Sequence, residues 1–249
     1  MIPAAPRAIL VDLDDTILVA GERPAVLLQV ARELARELGP HTPAAVAERL
    51  EAELALFWSD PERHKVARFG IPEARRQVVR DTFRRLAPAL SDTVADRFAT
   101  RFTAMREAMT QCFPGAIEGL QALQDLGVRL GLITNGASAT QRAKIERFGL
   151  ARFFHHVQIE GEVGFGKPEI QAYRHAMAAL GTAPHETWIV GDHLEWEVAA
   201  PQRLGLRAIW CDGFARGLPA GASVRPDHIV TSLSDIAAIF ATADDDARH

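Results

Sequence analysis

Six short apolar runs, at 8–12, 129–134, 156–160, 187–191, 207–211 and 228–230, are strung along the chain with helical patterns between them. Those patterns fall at 115–126, 138–148, 169–180, 194–204 and 232–240. The runs are apolar at consecutive positions, so each strand buries both faces. Strands of that kind, separated by helices, build a parallel sheet covered on both sides, an α/β fold. One interruption breaks the alternation. From residue 22 to 111 the chain reads as helix after helix, with stripes at Leu27, Val30, Leu34 and Leu38, at Val46, Leu50, Leu54 and Phe57, at Val79, Phe83 and Leu86, and at Val94, Phe98, Phe102, Met105 and Met109. Breaks fall at "GPHTP", "SDP", "FGIP" and "APALSD", and no strand is expected in this block. The organisation expected is an α/β core, 1–19 and 112–249, split after its first strand by an all-helical domain, 20–111.

Composition narrows the class. Apolar residues make up 48% of the chain, enough for a substantial core. No apolar run reaches the roughly 18 residues of a membrane span, and no basic segment followed by a long apolar one marks a leader. Cys112 and Cys211 are too few for a disulfide framework or a zinc site. Membrane and nucleic-acid partners are not expected, the latter because the net charge is −4, and a cytoplasmic location is. The insertion carries 15 Lys/Arg against 13 Asp/Glu and the rest of the chain 13 against 19, so the acidic excess sits with the core. Asp244 to Asp246 read as a solvated tail. Only Lys65, Lys144 and Lys167 are lysine among 28 basic residues, which makes each of them conspicuous.

In an open parallel sheet ligands bind beyond the carboxyl ends of the strands. After the first run stand Asp12, Asp14, Asp15 and Thr16; after the second, Thr134, Asn135 and Gly136; after the third, Gly164, Gly166, Lys167 and Pro168; after the fourth, Gly191, Asp192 and, five residues on, Glu197. In extended chain Asp12 and Asp14 share a face. Two close carboxylates either force one to be neutral or hold a cation between them, and with Asp192 they offer the hard oxygens that suit Mg2+. Asp15, the odd neighbour, is expected to point away from Asp12 into a local hydrogen bond, and Thr16 to support the loop. His193 reads as a rim residue, Glu195 as a neighbour competing with Glu197, and Trp188, Trp196 and Trp210 as packing. Pro168 suits the first position of the following helix.

"DLDDT", "LITNG", "GFGKP" and "IVGDHLEWE", in that order and each at a strand end, resemble the four motifs of the haloacid dehalogenase-like (HAD) superfamily. The resemblance implies a Rossmann-like parallel sheet core with an inserted all-helical C1 cap domain, "CFPGA" at 112–116 being the return to the core. It implies that Asp12 is a nucleophile, that Asp14 is the general acid and then base, that Thr134 and the Asn135 amide bind phosphate oxygens, and that Lys167 neutralises Asp12 and the transferred group. Mg2+ would be held by Asp12, the Asp14 carbonyl and Asp192. Glu197 stands where a second aspartate is usual, with two reaches open to it: the metal's water shell or Lys167. Asp14 is an acid that dehalogenases lack, and Asp15 stands where related mutases carry Gly. The function implied is a Mg2+-dependent phosphatase acting on a small-molecule phosphate ester such as phosphoglycolate, a sugar phosphate, a nucleoside monophosphate or N-acylneuraminate 9-phosphate. The alternatives are a 2-haloacid dehalogenase-type hydrolase and a catalytically silent binding protein. A monomer or weak homodimer is expected. Arg63, His64, Lys65, Arg68, Arg75, Arg76 and Arg80 read as solvated helix faces, with contact to an anionic substrate as the second possibility.

Overall fold

Ala8–Val11 (β1) is buried at all four positions, and its neighbours in space explain why. The computed structural model describes residues 5–86 and 91–245. The chain divides into two compact units, one running to Val19 and resuming at Cys112, the other Ala20–Gln111.

In the first unit β1 is followed by the two-residue β2, Leu18–Val19. The second unit holds five helices: α1 Arg23–Glu33, α2 Pro43–Trp58, α3 Pro61–Ala67, α4 Ile71–Leu86 and α5 Asp92–Ala108. Proline opens α1, α2 and α3 within their first two positions, and the side chains of Thr42 and Asp60 cap α2 and α3. The four stripes meet in one core around Leu27, Leu50, Val79, Phe83, Phe98 and Phe102, with the Phe83 and Phe98 rings edge to face at 5.5 Å. Met109, the last residue of its stripe, lies beyond α5 and is 45% exposed. Most of the break at 87–92 lies outside the described residues.

The chain re-enters through β3, Gln111–Cys112, which pairs with β2. There follow α6 Ala116–Asp125, β4 Arg129–Thr134, α7 Ser138–Arg147, β5 His156–Ile159, a one-turn α8 Glu160–Val163, α9 Ile170–Leu180 and β6 Thr187–Gly191. A π-helical turn, Leu194–Ala199, runs into α10, Ala200–Gln202; β7 Arg207–Cys211, β8 His228–Val230 and α11 Ser234–Asp245 complete the unit. Six strands form one sheet in the order β5-β4-β1-β6-β7-β8, parallel throughout. Alternation within β1 sorts the two layers. Ile9 and Val11 pack with α6 and α11, through Leu120, Leu123 and Ile236; Ala8 and Leu10 pack with α9, through Ala172, Tyr173, Ala176 and Leu180. Each such fully buried aliphatic side chain is worth about 1.5–3 kcal/mol of burial.

Several expectations are corrected. A strand residue, Gln111, does occur within the 22–111 block. The run at 156–160 ends a residue early, because Glu160 opens α8 and accepts the backbone N–H of Gly136 at 2.9 Å. The helix at 194–204 is a π turn followed by α10. Helix α11 begins at Ser234 and extends through Asp245, so Asp244 and Asp245 are helical rather than tail, while Asp246 lies outside the described residues. Pro168 is not the first residue of α9: the helix starts at Ile170, and the Lys167–Pro168 peptide is cis.

Candidate active site

β1 lies between β4 and β6, so its C-terminal end is flanked by the ends of two neighbours. The backbone N–H of Asp12 continues the ladder by donating to Val190 O at 3.0 Å, which fixes where its side chain leaves the sheet. Beyond it the chain turns back on itself: the N–H groups of Ile17 and Leu18 both donate to Leu13 O, at 3.0 and 2.9 Å.

The Asp12 carboxylate is 7% exposed and held on both oxygens. Lys167 Nζ donates to Oδ1 at 2.5 Å and Thr16 Oγ1 to Oδ2 at 3.2 Å. Lys167 is 1% exposed and also pairs with Glu197 at 2.7 Å. Burial pushes the Asp12 carboxyl up to about 6, against the pull of Lys167 and with the help of the charges on Glu197 and Asp14. Burial alone would lower the Lys167 ammonium, but Asp12 and Glu197 outweigh it and the net direction is up. Lys167 is therefore a fixed positive charge. Of the two reaches open to Glu197, the side chain takes Lys167. It also accepts the His193 N–H at 2.9 Å, and this inward turn accompanies the π wind of its segment. Room for it exists because residue 191 is glycine: a Cβ there would collide with Glu197 Cγ.

Asp192 follows β6. Burial drives its carboxyl well above the usual carboxylate range, with the charges of Asp12, Glu197 and Asp15 adding to the shift. Its backbone carbonyl accepts Trp210 Nε1 at 2.7 Å, so Trp210 does more than pack: it fixes the loop that carries Asp192. Trp188 is packing, stacked on His228 and edge-on to Phe240, and Trp196 stacks on His193 at 4.2 Å. Glu195 does not compete with Glu197, because it pairs with Arg203 on the surface.

Asp12 and Asp14 each bond an ammonium of their own. Lys144 Nζ donates to Asp14 Oδ1 and Oδ2 at 2.7 and 2.8 Å, and Gln141 Nε2 donates to Oδ2 at 2.9 Å. The same Gln141 amide donates to Thr134 Oγ1 at 2.5 Å. At Asp15 the chain is no longer extended, φ being 57°, a conformation that Asp tolerates better than most residues, and the Asp15 charge adds to the upward shift of Asp192. Thr16 bonds Asp12 itself.

The Asn135 side-chain amide is committed elsewhere. It donates to Lys167 O at 2.7 Å and its Oδ1 accepts the Lys167 N–H at 2.8 Å, a two-bond clamp on the loop carrying the lysine. That clamp needs glycine next door, since a Cβ on Gly166 would overlap Asn135 Oδ1. The Asn135 backbone N–H and the second N–H of its side-chain amide are not used by this clamp.

Sequence reasoning passed over Gln141 and the roles of Trp210 and Lys144. A signal existed for one of them, as Lys144 is one of the three lysines of an arginine-rich chain. Gln141 lies three residues before it, on the same face of α7. In the helical unit Arg80 is paired with Asp96, Arg63 with Asp60, and Arg75 lies over the Phe102 ring.

The haloacid dehalogenase-like hydrolase family matches residues 6–205. The chain is 32% identical over 254 residues to the phosphoserine phosphatase of Thermus thermophilus, covering 92% of this chain and 97% of that protein. It is 28% identical over 211 residues to the glyceraldehyde 3-phosphate phosphatase of Methanopyrus kandleri, covering 80% and 81%. The magnesium-bound HAD-hydrolase YfnB of Bacillus subtilis shares the fold, with a TM-score of 0.71 over 95% of this chain and 99% of that one at 21% identity. The chain belongs to the haloacid dehalogenase-like hydrolases, and is a hydrolytic enzyme.

Proposed function

We propose that this enzyme is a phosphatase that hydrolyses a small-molecule phosphomonoester through a phosphorylated Asp12. The observation that carries the reading is the Asp12 carboxylate, fixed on both oxygens by Lys167 and Thr16 at the end of the central strand, with a second acid, Asp14, two residues on. The two relatives named as phosphatases support the same reading.

A carboxylate oxygen of Asp12 attacks phosphorus as the bond to the leaving oxygen breaks. Asp14 gives its proton to that oxygen. It then takes a proton from a water that attacks the aspartyl-phosphate, which frees inorganic phosphate and restores the Asp12 carboxylate. Lys167 holds Asp12 in line and offsets charge on the transferred group, while Glu197 keeps the ammonium in place. Thr134 and the backbone N–H of Asn135, at the end of β4, would meet phosphate oxygens.

The residues fit a Mg2+ ion. Asp12, Glu197 and Asp15 bring negative charge to Asp192, opposed by Lys167. Among the described residues no three His, Cys, Asp or Glu side chains gather as a metal cluster; the set that fits has two carboxylates, Asp12 and Asp192, and the backbone carbonyl of Asp14, leaving positions for water, as Mg2+ prefers. When bound, the ion would supply charge neutralisation between the carboxylates and the phosphate. The helical unit is proposed as the cap that selects the substrate. Among the described residues no helix is long and apolar enough to cross a membrane.

The test is a panel of phosphometabolites, including O-phosphoserine, glyceraldehyde 3-phosphate, sugar phosphates and nucleoside monophosphates, read by phosphate release with Mg2+. Turnover of one or more members is expected. Halide release from 2-chloropropionate without phosphatase activity would establish the dehalogenase instead, and inertness toward both would favour a binding protein.

A further inference from the structure

We infer that Lys144, together with Gln141, is a positioning residue for Asp14, and so acts on both proton transfers of the reaction. This rests on the phosphatase reading above. The Asp14 side chain is 47% exposed and the Lys144 side chain 25%. An isolated ion pair so open to solvent contributes little to stability, so stability alone does not account for it. The bonding around the pair is what gives it a use. Lys144 Nζ has three N–H donors, and they have three acceptors: Asp14 Oδ1, Asp14 Oδ2 and Gln141 Oε1, the last at 2.9 Å. Gln141 is 3% exposed and its amide is equally committed, one N–H to Asp14 and one to Thr134, its oxygen to Lys144. Reversing that amide would set its oxygen against the Asp14 carboxylate, so the orientation is determined.

The result is a closed ring of Asp14, Lys144 and Gln141 anchored on Thr134 at the end of β4. Asp14 follows β1, in a turn where its side chain is about half exposed. The ring restricts it and ties its place to the hydroxyl proposed to meet the phosphate. A displacement of about 1 Å in a reacting group is enough to cost orders of magnitude in rate. The proton donor and the phosphate seat would thus be set by one network rather than separately. A compact ammonium suits the place, since it contacts two carboxylate oxygens and an amide oxygen from one atom, which a planar guanidinium does not.

The inference is tested with leaving groups. An alkyl ester requires protonation of its leaving oxygen; p-nitrophenyl phosphate, whose leaving group is a stable anion, does not. Both require Asp14 for the attack of water. In Lys144→Met, kcat for O-phosphoserine or glyceraldehyde 3-phosphate is expected to fall about tenfold or more, with KM within about twofold. With p-nitrophenyl phosphate the first equivalent of p-nitrophenolate should appear rapidly and turnover should then be slow, giving a burst absent from the wild type. Lys144→Arg, which keeps the charge and a grip on both Asp14 oxygens but not the contact to Gln141 from the same atom, should recover part of the loss. Should Lys144→Met lose its thermal transition, Lys144→Gln carries the same test. Unchanged kinetics, or equal losses on both classes of ester with no burst, would overturn the inference while leaving the phosphatase intact. A wild-type chain that releases phosphate from none of these esters would remove the phosphatase reading, and this inference with it.

Discussion

The two units of this chain use charge in opposite ways. In the helical unit the ion pairs lie on helix faces, open to water: Arg101 with Glu33, Arg97 with Glu37, Arg84 with Asp92. Its core is built on stripes of Leu, Val and Phe, with Arg68, Thr82 and Thr103 the polar side chains buried among the described residues of the unit. In the α/β unit Asp12, Lys167 and Glu197 are drawn into one buried line at the end of the central strands. Removing charges from water costs several kcal/mol per ion, and a buried pair seldom repays it fully. A protein that gathers three charged side chains in one buried place at that cost is maintaining a site. The contrast also separates what each substitution should do.

The largest effect is expected at Asp12. Asp12→Asn should lower phosphate release by about 10⁴-fold or more, as loss of a nucleophile does in other hydrolases, with little change in the thermal transition. Chelation with EDTA should stop the wild-type reaction, and added Mg2+ should restore it, without altering the circular dichroism. Next, Lys167→Met should cost about 3–5 kcal/mol in urea unfolding, because Asp12 and Glu197 are left as buried, uncompensated charges, and activity should vanish with it. Phe98→Ala, in the core of the helical unit, should cost a similar amount, about 3–5 kcal/mol, through the cavity it leaves. Its kcat for p-nitrophenyl phosphate, measured well below the transition, should persist. That pair breaks the comparison if both variants lose stability and activity together. The smallest effect is expected for Arg101→Ala, whose melting temperature and kinetics should match the wild type within error.

Much of the α/β unit was legible in the sequence because burial on both faces writes itself into consecutive positions: Ile9 to Val11 and Leu130 to Ile133 admit few other readings. The acids that follow such runs are placed by the sheet itself, so Asp12, Asp192 and Lys167 could be picked out together. What was not legible has a common cause. A two-residue strand such as Leu18–Val19 has no period to detect, and α8 is a single turn. Gln141 and Lys144 sit on a helix face, where glutamine and lysine are ordinary solvent residues; only the tertiary approach of Asp14 gives them a role. The turn at Asp15, with φ of 57°, and the clamp of the Asn135 side chain on Lys167, 32 residues away in sequence, are likewise set by tertiary structure.

The most direct test of the central claim is to trap the phosphorylated carboxylate. Asp14→Asn lacks the base for water attack, so after mixing with p-nitrophenyl phosphate and Mg2+ and quenching in acid, peptide mass mapping should find one phosphoryl group on the peptide carrying Asp12, and none when Asp12→Asn is added. Phosphate release by the wild type with no phosphoryl group ever found on Asp12 would contradict it.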